Sequence, residues 1–107
     1  MRDANKIIHF NKDYIIMEKS NLKDLVKFPV DYEFKIIGKS DKLDIEYIAG
    51  QIELITKRNF SREGIRKRES TKKTYSSYSV KLYLEEYNEL QNIYEFFKSQ
   101  ESISYYL

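Results

Sequence analysis

Two stretches constrain this chain more than any others. Phe28 to Gly38 reads Phe-Pro-Val-Asp-Tyr-Glu-Phe-Lys-Ile-Ile-Gly, and Ile65 to Val80 reads Ile-Arg-Lys-Arg-Glu-Ser-Thr-Lys-Lys-Thr-Tyr-Ser-Ser-Tyr-Ser-Val. Both alternate apolar and polar residues, as strands with one dry and one wet face do. In the first, Tyr32, Phe34 and Ile36 fall on one side, and Glu33 and Lys35 on the other. It predicts a strand from Asp31 to Ile37 that Gly38 ends. The second stretch holds a strand over Gly64–Ser70, a turn over Thr71–Thr74, and the start of a longer strand, Tyr75–Leu84. In that strand Tyr78, Val80, Leu82 and Leu84 point inward, while Ser77, Ser79, Lys81 and Tyr83 point outward. The Gly64–Ser70 strand has Ile65 as its one strong apolar residue. It therefore belongs at a sheet edge, where Lys67 and the arginines discourage pairing with another chain.

Helical periodicity fills the gaps. Ile45, Ile48, Ile52 and Ile55 recur at steps of three and four, predicting a helix over Lys42–Lys57 with Asp41 as N-cap and a stripe widened by Tyr47 and Leu54. Gly50 costs that helix about 1 kcal/mol relative to alanine. Close approach to the sheet and simple tolerance explain it equally well. Arg58 to Glu63 is a loop in which Phe60 plugs the helix end. A second helix, Glu86–Ser99, carries Leu90, Ile93, Tyr94 and Phe97, with Glu85, Glu86 and Glu89 at its positive end. A last strand, Ser102–Leu107, places Ile103, Tyr105 and Leu107 on one face.

The order β-α-β-β-α-β defines an α+β, ferredoxin-like two-layer sandwich. Right-handed crossovers put both helices on one face of an antiparallel sheet of order 4-1-3-2. Residues 20–107 form this domain, and residues 1–19 an N-terminal extension. Within the extension, Lys6–Phe10 and Tyr14–Met17 have β character without a visible pairing partner. Met17 reads as a natural start, so that residues 1–16 are an upstream extension or a loosely held arm. Ser20–Val26 makes one short helical turn, and Pro29 then enforces extended backbone at Phe28.

A chain of 107 residues, 41% apolar and 34% charged, suits one soluble domain with a single core. Zero cysteines exclude a disulfide framework, a thiolate metal site and a cysteine nucleophile. No apolar run reaches the length of a membrane span, and Ile7–Ile8 is too short for a signal core, so the expected compartment is the cytoplasm. The net charge of +2 is unevenly spread: Lys57 to Lys73 is strongly basic, and Glu85 to Glu101 is acidic. Such a division steers association.

Several pieces resemble one group of proteins, in order and spacing, from about Leu25 to Leu107. Phe28-Pro29 followed by Phe34 to Gly38 matches an opening strand, and Asn59-Phe60 a helix-end Asp-Phe. Arg68, Ser70, Thr71, Lys72, Tyr75 and Ser77 match a hairpin without a gap. Leu90, Ile93, Tyr94 and Ile103 to Leu107 match the last helix and strand. The chain resembles the small bacterial YbeD-like family, a domain of unknown function whose fold is similar to ACT regulatory domains. Thr56 stands where many members carry histidine, Arg58 where proline is usual, Glu69 where proline often occurs, Lys73 in place of a turn glycine, and Glu85-Glu86 in place of a Thr-Ser cap.

Chemical motifs are sparse. The one histidine, His9, lies in the extension near Asp13, so neither a metal cluster nor a Ser-His-Asp triad assembles from the spacing. Neither a cofactor, a metal nor an enzymatic activity is expected. Gly38-Lys39-Ser40-Asp41 before a helix is a weak anion site. RNA-recognition motifs share this element order, but Lys73 to Val80 misses their signature, with Ser77 where an aromatic belongs. Five of the ten tyrosines (Tyr32, Tyr47, Tyr78, Tyr94, Tyr105) sit at core positions, and Tyr83 and Tyr106 are the better candidates for exposed contact.

The expected function is a non-enzymatic regulatory or protein-interaction module. The resemblance to ACT domains implies association through sheets or helices and small effectors at the interfaces. The last strand is the edge on which a homodimer would form, with an unknown protein partner or effector besides. Ligand-binding candidates are Gly38, Ser40, Arg68, Ser70, Lys72 and Tyr75. The alternative is nucleic-acid binding by the basic hairpin through Arg62, Arg66, Arg68, Lys72 and Lys73.

Overall fold

A computed structural model describes residues 26–107. The readings of the extension, of His9 and Asp13, and of the turn before Val26 lie outside the described residues. The elements run β1 (Val30–Lys39), α1 (Ile45–Thr56), a short 3-10 turn (Arg62–Gly64), β2 (Ile65–Glu69), β3 (Tyr75–Leu84), α2 (Tyr87–Ser99) and β4 (Tyr105–Tyr106). The described residues form an α+β domain with two helices and a four-stranded antiparallel sheet of order β2-β3-β1-β4, which read from the β4 edge runs 4, 1, 3, 2.

The β1–β3 register explains the core. Val30 faces Leu84, Tyr32 faces Leu82, Phe34 faces Val80 and Ile36 faces Tyr78. The even-numbered residues of both strands therefore share one face. Phe34, Ile36, Val80 and Leu84 are fully buried there, in one cluster with Ile48 and Ile52 of α1 and Leu90, Ile93 and Phe97 of α2. Both helices thus cover the same face of the sheet. At one end, the ring of Phe34 meets Tyr94 and Phe97 edge-on at 5.3 and 5.5 Å, and Tyr106 closes over Tyr94 and Phe97.

Several boundaries move, each for a physical reason. The first helix starts at Ile45, not Lys42, and its N-cap is Asp44, whose carboxylate accepts from the amides of Glu46 and Tyr47. Before it, the amides of Lys42 and Leu43 both turn back to the carbonyl of Lys39. This turn drops Leu43 into the core beside Ile48, the apolar pair that staples a helix start. Ile48, Ala49, Ile52 and Thr56 are buried, whereas Leu54 is 69% and Tyr47 50% exposed. The two residues read as widening the stripe lie outside it. A Cβ on Gly50 would meet nothing within 4 Å, so close approach to the sheet is not its reason.

The last strand is shorter than its alternation suggests. Residues 100–103 still turn, with the Ile103 amide bonded to the Gln100 carbonyl, so Ile103 enters the core from a turn. Pairing of Ile36 with Tyr106 then puts Tyr106 on the core side and Tyr105, opposite Ile37, on the outer face. The expected roles of Tyr105 and Tyr106 are exchanged.

Candidate functional site

The sheet face opposite the helices is built from the odd-numbered residues of β1 and β3, the even-numbered residues of β2 and Tyr105 of β4. Three cross-strand rows follow from the register: Ile37–Ser77–Arg68, Lys35–Ser79–Arg66 and Glu33–Lys81, with Lys39 opposite Tyr75 beyond the first row and Asp31 opposite Tyr83 beyond the last. Lys35, Lys39, Arg66, Arg68 and Lys81 are exposed, and none pairs with a carboxylate among the described residues. Lys67 points the other way, over the ring of Tyr78 and 3.6 Å from Glu69.

The arginines away from this face behave differently. Arg58 grips Glu89 with two hydrogen bonds of 2.8 Å, and donates to the carbonyls of Thr56 and Tyr83. Those bonds hold the Glu89 carboxyl below the ordinary carboxylate value and raise that of the guanidinium. Arg62 bonds Glu53 at 2.8 Å and Glu46 at 3.2 Å. The bond from Arg62, joined by the Phe60 amide, likewise lowers Glu53. Thr56 and Arg58, two departures from the family pattern, therefore have structural work: the Thr56 hydroxyl bonds the carbonyls of Ile52 and Arg58, closing the helix end. Burial raises the Tyr94 hydroxyl, which bonds Tyr32 at 3.1 Å.

The sequence-derived ligand set divides in two. Gly38 and Ser40 do lie against the β2–β3 hairpin: the Ser40 amide bonds the Thr74 carbonyl, and the Ser40 and Ser76 hydroxyls share a 2.8 Å bond. The Ser70 hydroxyl accepts from the Tyr75 amide. Ser40 is thus engaged in holding the hairpin to the end of β1, and the Ser70 hydroxyl in closing the hairpin turn. A Cβ on Gly38 would strike the carbonyl oxygen of Ser102, so the glycine admits the chain leading into β4. Arg68 and Tyr75 stand on the outer face, and Lys72 and Lys73 at the hairpin tip, with Lys73 in left-handed backbone (φ 61°). Of the alternative set, Arg66 and Arg68 belong to the outer face, while Arg62 is held by its glutamates. Lys35, Lys39 and Lys81 complete the patch. Parity alone turns them outward, but only the register sets Lys35 in one row with Arg66.

Among the described residues, no group of three or more histidine, aspartate or glutamate side chains is placed to hold a metal, and no helix is long and apolar enough to cross a membrane.

Fold and surface together define a small two-layer α+β domain with one basic sheet face that no other described element covers. The chain belongs to the DUF493 family, proteins of unknown function, whose family model matches residues 23–107. The YbeD-like resemblance is consistent with that membership. Searches of curated proteins and of solved structures find no significant match.

Proposed function

We infer that the domain is a non-enzymatic regulatory or interaction module of ferredoxin-like, ACT-like shape that works in the cytoplasm through its basic sheet face, opposite the helices. One observation carries this reading. The cations of that face lack carboxylate partners among the described residues, whereas Arg58 and Arg62 are each clasped by glutamate. Like charges gathered without counterions repel, and an anionic partner relieves that repulsion. The hydroxyls of Ser77 and Ser79, half-buried between the cations, add neutral hydrogen-bonding groups to the same surface.

Retention on immobilised heparin, a generic polyanion, tests the reading. Wild type is expected to elute later in a salt gradient than Arg66→Glu/Arg68→Glu. Lys57→Glu/Lys98→Glu, an equal charge change among exposed residues of the helical layer, is expected to elute near wild type. Equal loss of retention in both double variants overturns the reading.

A second reading, self-association along the sheet edge, is favoured by one feature of β1. β4 covers β1 only around Lys35–Ile37; from Val30 to Phe34 that edge has no strand neighbour among the described residues. A second copy would extend the sheet there by strand addition. A monomer by light scattering at high micromolar concentration, with freely exchanging amides at Asp31 and Glu33, removes this reading.

A further inference from the structure

We propose that the outer sheet face is a binding site for single-stranded nucleic acid, with Lys35, Lys39, Arg66 and Arg68 on the phosphates and Tyr75 as a stacking platform. This rests on the interaction-module reading and names its partner.

Geometry separates a polyanion from a small anion. Neighbouring strands lie about 4.8 Å apart and residues rise about 3.4 Å along each. Arg66 and Lys35, with β3 between them, are therefore roughly 10 Å apart at the backbone, and Lys35 and Lys39 roughly 13–14 Å apart along β1. Cations dispersed on that scale over the outer sheet face match charges strung along a chain. A single phosphate would need them to converge. The positions between them carry Ile37, Ser77 and Ser79, which offer an apolar contact and two hydroxyls to sugars and base edges.

Charge and aromatic placement agree. The acids of this face, Asp31 and Glu33, lie toward one end with Lys81, which leaves the four proposed cations and the hairpin tip as a continuous basic field. Tyr75 is 41% exposed, is opposite Lys39 and borders that field. Tyr83, although 46% exposed, sits at the acidic end with the Arg58 guanidinium over its ring at 5.6 Å. Aromatic stacking is what distinguishes a base-bearing polyanion from an acidic peptide.

The test is fluorescence anisotropy with labelled ten-nucleotide oligo-U and oligo-dT, using the full chain at 50 and 200 mM salt. Single-strand binding loses affinity with a logarithmic slope of about −0.7 per phosphate contact, so four contacts give about −2.8, or roughly a 50-fold loss across this fourfold range. Arg66→Glu/Arg68→Glu is expected to weaken binding at least about tenfold and bring the slope near −1.4. Tyr75→Ala is expected to weaken binding on the order of tenfold with the slope unchanged. The proposal is overturned by no binding at 50 mM salt, by equal weakening in Lys57→Glu/Lys98→Glu, or by poly-glutamate competing as well as oligo-U. In the last case, or if only heparin binds in the manner described above, the interaction-module reading stands while the nucleic-acid assignment falls.

Discussion

The same substitution, glycine to alanine, is expected to act with opposite sign at two positions of this domain. At Gly38 the new methyl group runs into the Ser102 carbonyl, a backbone atom that yields only if the chain leading into β4 moves away from β1. Besides the β1–β4 pairing itself, that chain is tied to β1 by hydrogen bonds: the Ser104 amide to the Ile37 carbonyl at 2.7 Å and the reciprocal Lys35–Leu107 pair at 2.8 and 3.0 Å. At about 1 kcal/mol each, their partial or complete loss makes Gly38→Ala destabilising by about 2–3 kcal/mol. That corresponds to a fall of roughly 10–20 °C in Tm for a domain of this size. At Gly50 the methyl group meets nothing within 4 Å, and the backbone is already helical. Gly50→Ala should therefore stabilise by about 1 kcal/mol. Urea titrations followed by circular dichroism measure both. Amide exchange adds a local readout, since Lys35, Ser104 and Leu107 should lose protection in Gly38→Ala alone. A Gly38→Ala protein within about 0.5 kcal/mol of wild type, or shifts of the same sign at both sites, would refute the packing argument.

Other outcomes follow from local geometry. Lys57 and Lys73 hold φ of 60° and 61°, so Lys57→Gly and Lys73→Gly should each raise the urea midpoint by about 0.5–1 kcal/mol of stability, and a fall would show that the side chains are needed. The N-cap of α2, Glu86, makes no side-chain capping bond, so Glu86→Ser, which creates a capping box with Glu89, is expected to stabilise by about 1 kcal/mol in the same titration. Arg58→Ala unclasps the half-buried Glu89 and should cost about 1 kcal/mol, with less of a loss in high salt. Glu89 is held below its ordinary value of 4.5, so its contribution is complete above that pH and is lost as pH falls through the folded-state value. Stability measured from pH 6 to 3 should therefore decline less steeply in Glu89→Gln than in wild type, and parallel curves would reject the assignment.

The limits of the sequence show in particular residues. Alternation placed Tyr32, Phe34 and Ile36 of β1 and Tyr78, Val80, Leu82 and Leu84 of β3 on the inward face correctly, because a strand's side chains have one period, but it left buried Ser76 and core-packed Val30 unassigned. It misassigns Tyr105 and Tyr106 because a turn at residues 100–103 occupies the start of the strand expected over Ser102–Leu107, and a shift of one residue exchanges the faces. The helical stripe was legible at Ile48 and Ile52, but apolar Leu54 and amphipathic Tyr47 lie outside it: hydrophobic character did not fix their azimuth around the helix. Asp41 and Asp44 both suit an N-cap, and burial of Leu43 selects Asp44.

Site residues divide along the same line. The order of elements alone determined a layered domain with both helices on one side of the sheet, since two amphipathic helices separated by a hairpin return to one side. It also determined that Arg66 and Arg68 lie on an edge strand. Which arginines meet a carboxylate among the described residues was decided only in three dimensions. Arg58 meets Glu89 from 31 positions away and Arg62 meets Glu53 across a loop, while register carries Lys35 and Lys39 to the same face as Arg66 and Arg68. Periodicity is a property of neighbours along the chain and is written in the sequence. Charge pairing depends on distances between residues remote in sequence, which exist only once the layers have packed.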